Sequence, residues 1–235
     1  MDIMELVLPQ TNQFASDYMN GEDQILSFFD YGKNDFDARL RELTKRSFPR
    51  EALSEVLFTF NRKFSPSEAV LDNIEKLTRP DSVVVIGGQQ AGVLTGPLYT
   101  IHKCLSIIQL AKEQEKQLGT PVVPVFWIAG EDHDFDEINH TYILRNDRPQ
   151  KTVIPGVVPE KKSASGIQVD QAKIKLWAEE VVSSFGETEY TEKLVRFLSE
   201  SLESSTTFVD FFAHLIMYLF KDYGLVLVDS GDPRL

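Results

Sequence analysis

The stretch Val83-Val84-Val85-Ile86-Gly87-Gly88-Gln89-Gln90-Ala91-Gly92 (83–92) decides the fold class of this sequence. It joins four consecutive β-branched residues to a glycine-rich segment, and such an unalternating apolar run is typical of a parallel strand covered on both faces. A long helical pattern follows from Gly96-Pro97 to Gly119, and a second apolar run occupies residues 122–128. This order predicts a strand–turn–helix–strand unit, which is the building block of an open α/β sheet.

Helical patterns flank this unit on both sides. One N-terminal helix is predicted to begin with Ser65 as N-cap, Pro66 at the first position and Glu68 in a capping box. An apolar helical pattern capped by Thr206 or Thr207 leads to a third buried strand, 225–228. Because a buried parallel strand needs a covering element after it, we expect the sequence to be a fragment of a longer protein, cut inside the core. The predicted organisation is a helical N-terminal region (1–80), the first half of the core (81–150), a helical insertion (151–205) and a return to the core (206–235).

Composition and charge limit the classes of function. The 235 residues include 36 acidic and 24 basic side chains, which gives a formal net charge of −12. Nucleic acids and anionic membranes require a basic surface, so neither is an expected partner. The chain has one cysteine, an acidic N-terminus without a signal-peptide pattern, and no apolar run long enough to span a membrane. These features predict a soluble cytoplasmic protein.

The glycine-rich segment is the first candidate binding site. Its candidate ligand-binding residues are Gly87, Gly88, Gln89, Gln90, Gly92, Thr95 and Gly96. Glycines between a strand and a helix allow close approach of a ligand, and the helix N-terminus favours an anion. The spacing is not that of a nucleotide-binding P-loop, because Val93-Leu94 stands where Lys and Ser/Thr are needed. A tight connecting turn is the alternative.

Two residues in the second turn of the following helix are candidates for the same site. Helical side chains lean toward the N-terminus of their helix, so His102 or Lys103 is expected to reach a ligand in the glycine segment. A packed histidine and a solvated lysine are the structural alternatives.

An acidic segment follows the second predicted strand. Its candidate catalytic residues are Glu131, Asp132, His133 and Asp134, and two further acids, Asp136 and Glu137, lie beside them. Like charges packed together raise carboxyl pKa values unless a cation, a metal or the histidine relieves them. The pattern indicates acid/base chemistry, an amine-bearing substrate or a metal. The pattern disfavours a calcium loop, since its sixth and twelfth positions would be Glu137 and Ile143. A solvated loop is the alternative.

A third polar segment ends the last strand. Asp229, Ser230, Gly231 and Asp232 are candidate ligand-binding residues there. In a parallel sheet, the carboxyl ends of the strands share one edge, so the three segments are expected to lie together. His140 and His214 are predicted to be structural and Cys104 to be packed. No metal-ligand set is assigned.

Three strings in these segments resemble one known family. Residues 87–103 (GGQQAGVLTGPLYTIHK), 126–134 (FWIAGEDHD) and 229–233 (DSGDP) are similar to the bacillithiol biosynthesis cysteine-adding enzyme family. The resemblance runs over the whole sequence and covers about the N-terminal half of that family's chain. It implies a Rossmann-like core, similar to nucleotidyltransferases and class I aminoacyl-tRNA synthetases, and a C-terminal coiled coil that supports a homodimer.

The resemblance also implies a ligase that joins L-cysteine to glucosaminyl-malate in the last step of bacillithiol synthesis. ATP is the expected activator of the cysteine carboxylate, with the glycine segment, His102 and Lys103 beside it and the acidic segment beside the amine. A nucleotide-binding or regulatory module without ligase chemistry is the alternative, and a metal-dependent hydrolase is a third reading.

Overall fold

The computed structural model describes residues 12–156 and 162–235. The chain divides into two compact units between Phe48 and Pro49, before the boundary predicted at residue 80. The predicted subdivision into four segments stays a prediction.

The first unit contains short helices in its described residues. They are α1 (Gln13–Asn20), α2 (Asp23–Leu26) and α3 (Phe36–Leu43). The Asn12 side chain caps α1 by accepting a hydrogen bond from the Ala15 N–H at 3.3 Å. These helices agree with the helical character predicted for the N-terminal region.

The second unit contains the sheet. Its elements are α4 (Arg50–Asn61), α5 (Glu68–Lys76), β1 (Val83–Gln89), α6 (Tyr99–Leu118), β2 (Val122–Ile128), α7 (Phe135–Ile138), β3 (His140–Arg145), β4 (Arg148–Val153), α8 (Gln171–Ser183), α9 (Thr191–Glu203), α10 (Phe208–Phe220) and β5 (Val226–Asp229). Within the described ranges, none of the helices is long and apolar enough to cross a membrane.

A parallel sheet forms the centre of this unit. The strand order in the described residues is β1-β2-β5, and both pairs are parallel. On one sheet face, α6 packs against Gly87 through Ile107, and α10 places Phe212 6.1 Å from the Phe126 ring. The predicted α/β class with a parallel sheet is confirmed.

The prediction that the first strand is covered on both faces is wrong. Val84 and Ile86, which lie on one face of β1, are 43% and 51% exposed. The helices α4 and α5 lie against β5 and β2 instead. All four residues of β5 are buried, as predicted, although β5 forms the opposite edge.

One side chain from α4 pairs with backbone groups on the lateral side of β5 that faces away from β2. Asn61, which is fully buried, donates to the Leu227 carbonyl at 2.7 Å and accepts from the Leu227 N–H at 2.9 Å. Both backbone groups of Leu227 that face away from β2 are therefore paired without a neighbouring strand.

The predicted start of α5 is also wrong. Ser65 adopts the left-handed conformation with φ of 52°, and Ser67 precedes the first helical residue, Glu68. The Ser67 hydroxyl donates to the Lys221 carbonyl at 2.6 Å, so it serves packing rather than capping. In contrast, Thr207 caps α10 in a capping box with Asp210, which confirms one of the two predicted caps.

An antiparallel hairpin spans the predicted boundary between the first half of the core and the insertion. It consists of β3 and β4, which pair from His140–Val153 to Arg145–Arg148. Its turn contains Asn146 and Asp147, with φ of 51° and 57°, and these residue types favour such a two-residue turn. Pro149 within β4 hides the pattern, because proline is disfavoured inside strands.

Candidate functional site

The three predicted polar segments lie at the edge of the parallel sheet that the carboxyl ends of its strands form. Gly87, Gly88 and Gln89 are the last residues of β1, so the glycine segment begins inside the strand rather than after it. A short 3₁₀ turn, Val93–Thr95, follows the strand, and α6 begins at Tyr99 rather than at Pro97. The predicted helix start is therefore wrong by two residues.

The backbone of this turn explains the difference. Leu94, Thr95 and Gly96 have φ of 52°, 76° and 70°. Consecutive residues with positive φ interrupt a right-handed helix, so α6 starts only after the chain has turned.

Three glycines of this segment pack closely against neighbouring parts of the chain. A Cβ atom on Gly87 would lie 3.0 Å from Ile107 Cδ1, and one on Gly92 would lie 2.8 Å from Gly96 Cα. A Cβ atom on Gly88 would overlap the Trp127 carbonyl oxygen of β2. The close approach that these glycines permit is to neighbouring elements of the fold.

Lys103 reaches the end of β1, as expected for one of the two candidates on α6. Its ammonium donates to Gln89 Oε1 at 2.6 Å and to the Gly88 carbonyl at 3.2 Å, and it lies 5.3 Å from the Tyr99 ring centroid. Gln89 also donates to the Tyr99 hydroxyl at 3.1 Å. His102 is exposed and makes no hydrogen bond to the described part of this segment.

Gln90 joins the glycine segment to the acidic segment. Its amide Nε2 lies 2.7 Å from Asp132 Oδ2 and 2.6 Å from Glu137 Oε2, so it donates to both carboxylates. The Asp134 N–H donates to Asp132 Oδ1 at 2.9 Å. The hydrogen bonds from the Asp134 backbone and from Gln90 hold the pKa of Asp132 below its usual value.

The other acidic-segment candidates face solvent. Glu131, His133 and Asp134 are exposed, and the segment is anchored by α7, which buries Phe135 and Ile138. The crowding expected to raise carboxyl pKa values is relieved at Asp132 by amide and backbone donors.

Asp229 at the end of β5 is the buried carboxylate of this edge. It is 9% exposed and accepts hydrogen bonds from the Gly231 N–H at 2.9 Å and from Ser165 Oγ, which lies 2.8 and 2.9 Å from its two oxygens. Burial raises the pKa of Asp229 above its usual value, and the two donors oppose that rise.

The remaining residues of the third segment contact the second. The Glu131 N–H lies 3.4 Å from Ser230 Oγ, and the Ser230 N–H donates to the Ile128 carbonyl at 3.0 Å. Asp232 pairs with Arg234 at 2.5 Å, and this hydrogen bond lowers the pKa of Asp232. Hydrogen bonds thus link the glycine segment to the acidic segment, and the acidic segment to the residues after β5.

Sequence reasoning missed Ser165 and Arg234. Ser165 lies in the first third of the predicted insertion, in a region without regular periodicity, and nothing local indicates that it meets Asp229. The two residues are 64 positions apart in sequence. Arg234 had a local signal, its position two residues after Asp232.

The residues predicted to be structural lie in packed surroundings. His214 is 4.9 Å from the Phe64 ring, and burial lowers its pKa. Cys104 is fully buried, and burial raises the pKa of its thiol to about 12. His140 packs edge-on against Tyr142 in β3. In the two described ranges, no group of three or more His, Cys, Asp or Glu side chains is arranged to hold a metal ion.

Comparison with known proteins gives a consistent result. The family model described as the N-terminal Rossmann-like domain of bacillithiol biosynthesis BshC matches residues 1–235. A protein named "Putative cysteine ligase BshC" from Bacillus cereus (strain AH187) is 48% identical over 237 residues, which are 100% of this chain and 44% of the relative. The proteins of the same name from Geobacillus kaustophilus (strain HTA426) and Bacillus anthracis are 48% and 47% identical, and the aligned regions are 43% and 44% of their lengths. The chain spans less than half the length of these relatives.

Proposed function

Because this chain belongs to the bacillithiol biosynthesis BshC family, we propose that the protein containing it joins L-cysteine to the amine of glucosaminyl-malate. This reaction is the last step of bacillithiol synthesis in the proposal. The observation that supports it most directly is the hydrogen-bonded edge where the glycine segment, the acidic segment and Asp229 come together.

The proposed reaction has an activation step and a transfer step. The cysteine carboxylate attacks a phosphorus atom of ATP, which gives an acyl-adenylate with release of pyrophosphate, or an acyl-phosphate with release of ADP. The amine of glucosaminyl-malate then attacks the acyl carbon. The new C–N bond replaces the bond to AMP or phosphate, and the amine loses one proton.

Two groups on this chain are suited to the activation step. The N-terminus of the 20-residue helix α6 carries partial positive charge close to the glycine segment. Lys103 adds a full positive charge at the end of β1. Together they would stabilise negative charge that develops on a transferred phosphoryl group, and exposed His102 is available beside them.

The carboxylates divide into two kinds, which suit the transfer step differently. Asp132 is held ionised by its donors, so it would bind the ammonium form of the incoming amine, beside exposed Glu131 and Asp134. Asp229 has a raised pKa, so it would accept the proton that the attacking amine releases. His133 is exposed on the same segment and could pass that proton to water.

A reconstituted assay tests this proposal. A protein that carries this chain and has the length of the relatives is incubated with L-cysteine, glucosaminyl-malate and ATP, and bacillithiol and AMP or ADP are measured. We expect bacillithiol and nucleotide product in equal amounts. Bacillithiol made without any nucleotide would refute the activation step, and no bacillithiol at all would refute the ligase.

A double substitution separates catalysis from a binding or regulatory role. Asp132→Asn with His133→Ala should lower the rate of bacillithiol formation at least about 100-fold, as expected for loss of positioned acid/base groups. Gln168→Ala, at an exposed position outside this edge, is the matched control. An unchanged rate in the double variant would favour a regulatory module.

A further inference from the structure

A short turn from the predicted insertion crosses the edge of the sheet between β2 and β5. It is the 3₁₀ turn Ala164–Gly166. The Ala164 N–H donates to the Asp132 carbonyl at 2.8 Å, and the Ser165 N–H donates to the Gly130 carbonyl at 3.0 Å. These two bonds attach the turn to the start of the acidic segment.

The turn places the Ser165 hydroxyl against both oxygens of Asp229. The distances are 2.8 Å to Oδ1 and 2.9 Å to Oδ2. A hydroxyl has one proton, so it donates to one carboxylate oxygen at a time and can exchange between the two.

The backbone of two glycines packs closely around this pair. A Cβ atom on Gly130 would overlap Asp229 Oδ1 and Ser165 Oγ. A Cβ atom on Gly231 would overlap Ser165 Oγ and would lie 3.2 Å from the Gly130 carbonyl carbon. Two glycines from two different strand ends are thus needed to seat the Ser165–Asp229 pair.

The charged groups that face Asp229 make its ionisation unfavourable. Asp210 on α10 and Asp232 after β5 both repel its negative charge. Lys63 lies 3.8 Å from Asp210, and Arg234 pairs with Asp232, so these cations partly offset the repulsion. The Gly231 N–H and the Ser165 hydroxyl are the hydrogen-bond donors that stabilise the ionised form directly.

We propose that Ser165 is a positioning residue that holds the Asp229 carboxylate oriented and ionised at the ends of β2 and β5. The inference rests on the proposed function, in which Asp229 accepts the proton of the amine. Ser165 acts only through Asp229 and does not itself contact substrate.

The pH dependence of ligase activity tests this role in a protein that carries this chain and has the length of the relatives. Loss of the Ser165 hydroxyl removes a donor to the ionised form, so the pKa of Asp229 rises further in Ser165→Ala. The acid limb of the kcat/KM profile therefore moves to higher pH. We expect kcat/KM to fall about three- to tenfold on the acid limb and to change less than about twofold on the plateau above it. Ser163→Ala, which changes the residue immediately before the same turn, is the matched control and should leave the profile unchanged.

A double-substitution cycle and a direct titration complete the test. In the Asp229→Asn background, Ser165→Ala should cause no further loss, because a residue that acts through Asp229 has nothing left to position. The carboxyl ¹³C chemical shift of Asp229, followed against pH, reports its pKa independently of activity. It is measured in the wild type and in Ser165→Ala, once circular dichroism shows that the variant is folded.

The outcomes separate this inference from the proposed function. An active enzyme whose acid limb and Asp229 titration are unchanged by Ser165→Ala overturns the positioning role. An inactive wild-type protein overturns the ligase, and the titration alone then decides whether Ser165 controls Asp229. Misfolding of Ser165→Ala transfers the test to Ser165→Cys, whose weaker S–H donor should move both readouts in the same direction.

Discussion

Substitution of Asn61 should destabilise the α/β unit by more than the loss of a single hydrogen bond, because this side chain pairs with two backbone groups. Asn61 is fully buried and pairs with both the N–H and the carbonyl of Leu227 at the edge of β5. In Asn61→Ala, both backbone groups remain buried without a partner, at about 1–3 kcal/mol each. The expected loss is about 2–6 kcal/mol of a total unfolding free energy of about 5–15 kcal/mol. The third bond of Asn61, to the Leu57 carbonyl, adds little because that carbonyl lies within α4.

Urea denaturation measures this effect on the 235-residue chain. With an m-value of about 3 kcal/mol/M, a loss of 3 kcal/mol lowers the midpoint by about 1 M. Thr59→Ala is the matched control, since Thr59 is an exposed residue on the same helix, and its substitution should change stability by less than about 0.5 kcal/mol.

Asn61→Leu separates the hydrogen bonds from the volume of the side chain. Leucine fills a similar space but cannot pair with Leu227, so it should be about as destabilising as alanine. If Asn61→Leu restores wild-type stability, the side chain acts by filling space, and the hydrogen-bond argument is refuted. A midpoint for Asn61→Ala within error of the wild type would refute both.

Three further predictions concern packing and ionisation. Gly130→Ala should lower stability by about 3 kcal/mol and Tm by about 6–12 °C, because its Cβ would overlap Asp229 and Ser165. Gly166→Ala, whose Cβ would meet its nearest atom at 3.6 Å, should have a Tm within about 2 °C of the wild type by calorimetry. Burial raises the pKa of the Cys104 thiol to about 12, so at about pH 8 the thiol should react with a disulfide reagent only as the chain unfolds. Its labelling should rise with urea concentration in parallel with the loss of the circular dichroism signal, and fast labelling without urea would contradict its burial. The folded state raises the pKa of Asp229, so it binds the proton more tightly than the unfolded chain, and the stability from this group is lost as pH rises from the unfolded pKa of about 4 through the folded pKa. Asp229→Asn should therefore gain stability relative to the wild type as pH rises above about 4, and a constant difference in urea titrations would contradict this.

The features that the sequence predicted well are those set by local pattern. The apolar runs at 83–86, 122–128 and 225–228 indicated the strands, and the segments that follow them were expected to share an edge, as they do. Thr207 was one of the two residues predicted to cap α10, and its side chain does cap the helix. Strand identity and the location of the edge needed no information about distant partners.

The features that were missed depend on contacts between distant parts of the chain. The pairs Asn61–Leu227 and Ser165–Asp229 are separated by 166 and 64 residues, and a single sequence gives no signal for such pairings. Exposure of the second face of β1 has the same origin, because it depends on where α4 and α5 lie. The start of α5 was predicted at Ser65, but Ser65 is left-handed and the helix begins at Glu68. The Ser67 hydroxyl before it bonds to the distant Lys221 carbonyl, a contact that the local pattern does not indicate.

The structure also changes which carboxylate fits acid/base chemistry. Charge density in the sequence favoured the acidic segment, where like charges were expected to raise pKa values. Gln90 and the Asp134 N–H reverse that effect at Asp132, whose pKa is lowered, and its neighbours in the segment are solvated. Burial, which charge counting does not detect, raises the pKa of Asp229 at the end of the adjacent strand. Since a general base works best with a pKa close to the operating pH, Asp229 suits proton transfer and Asp132 suits the binding of an ammonium group.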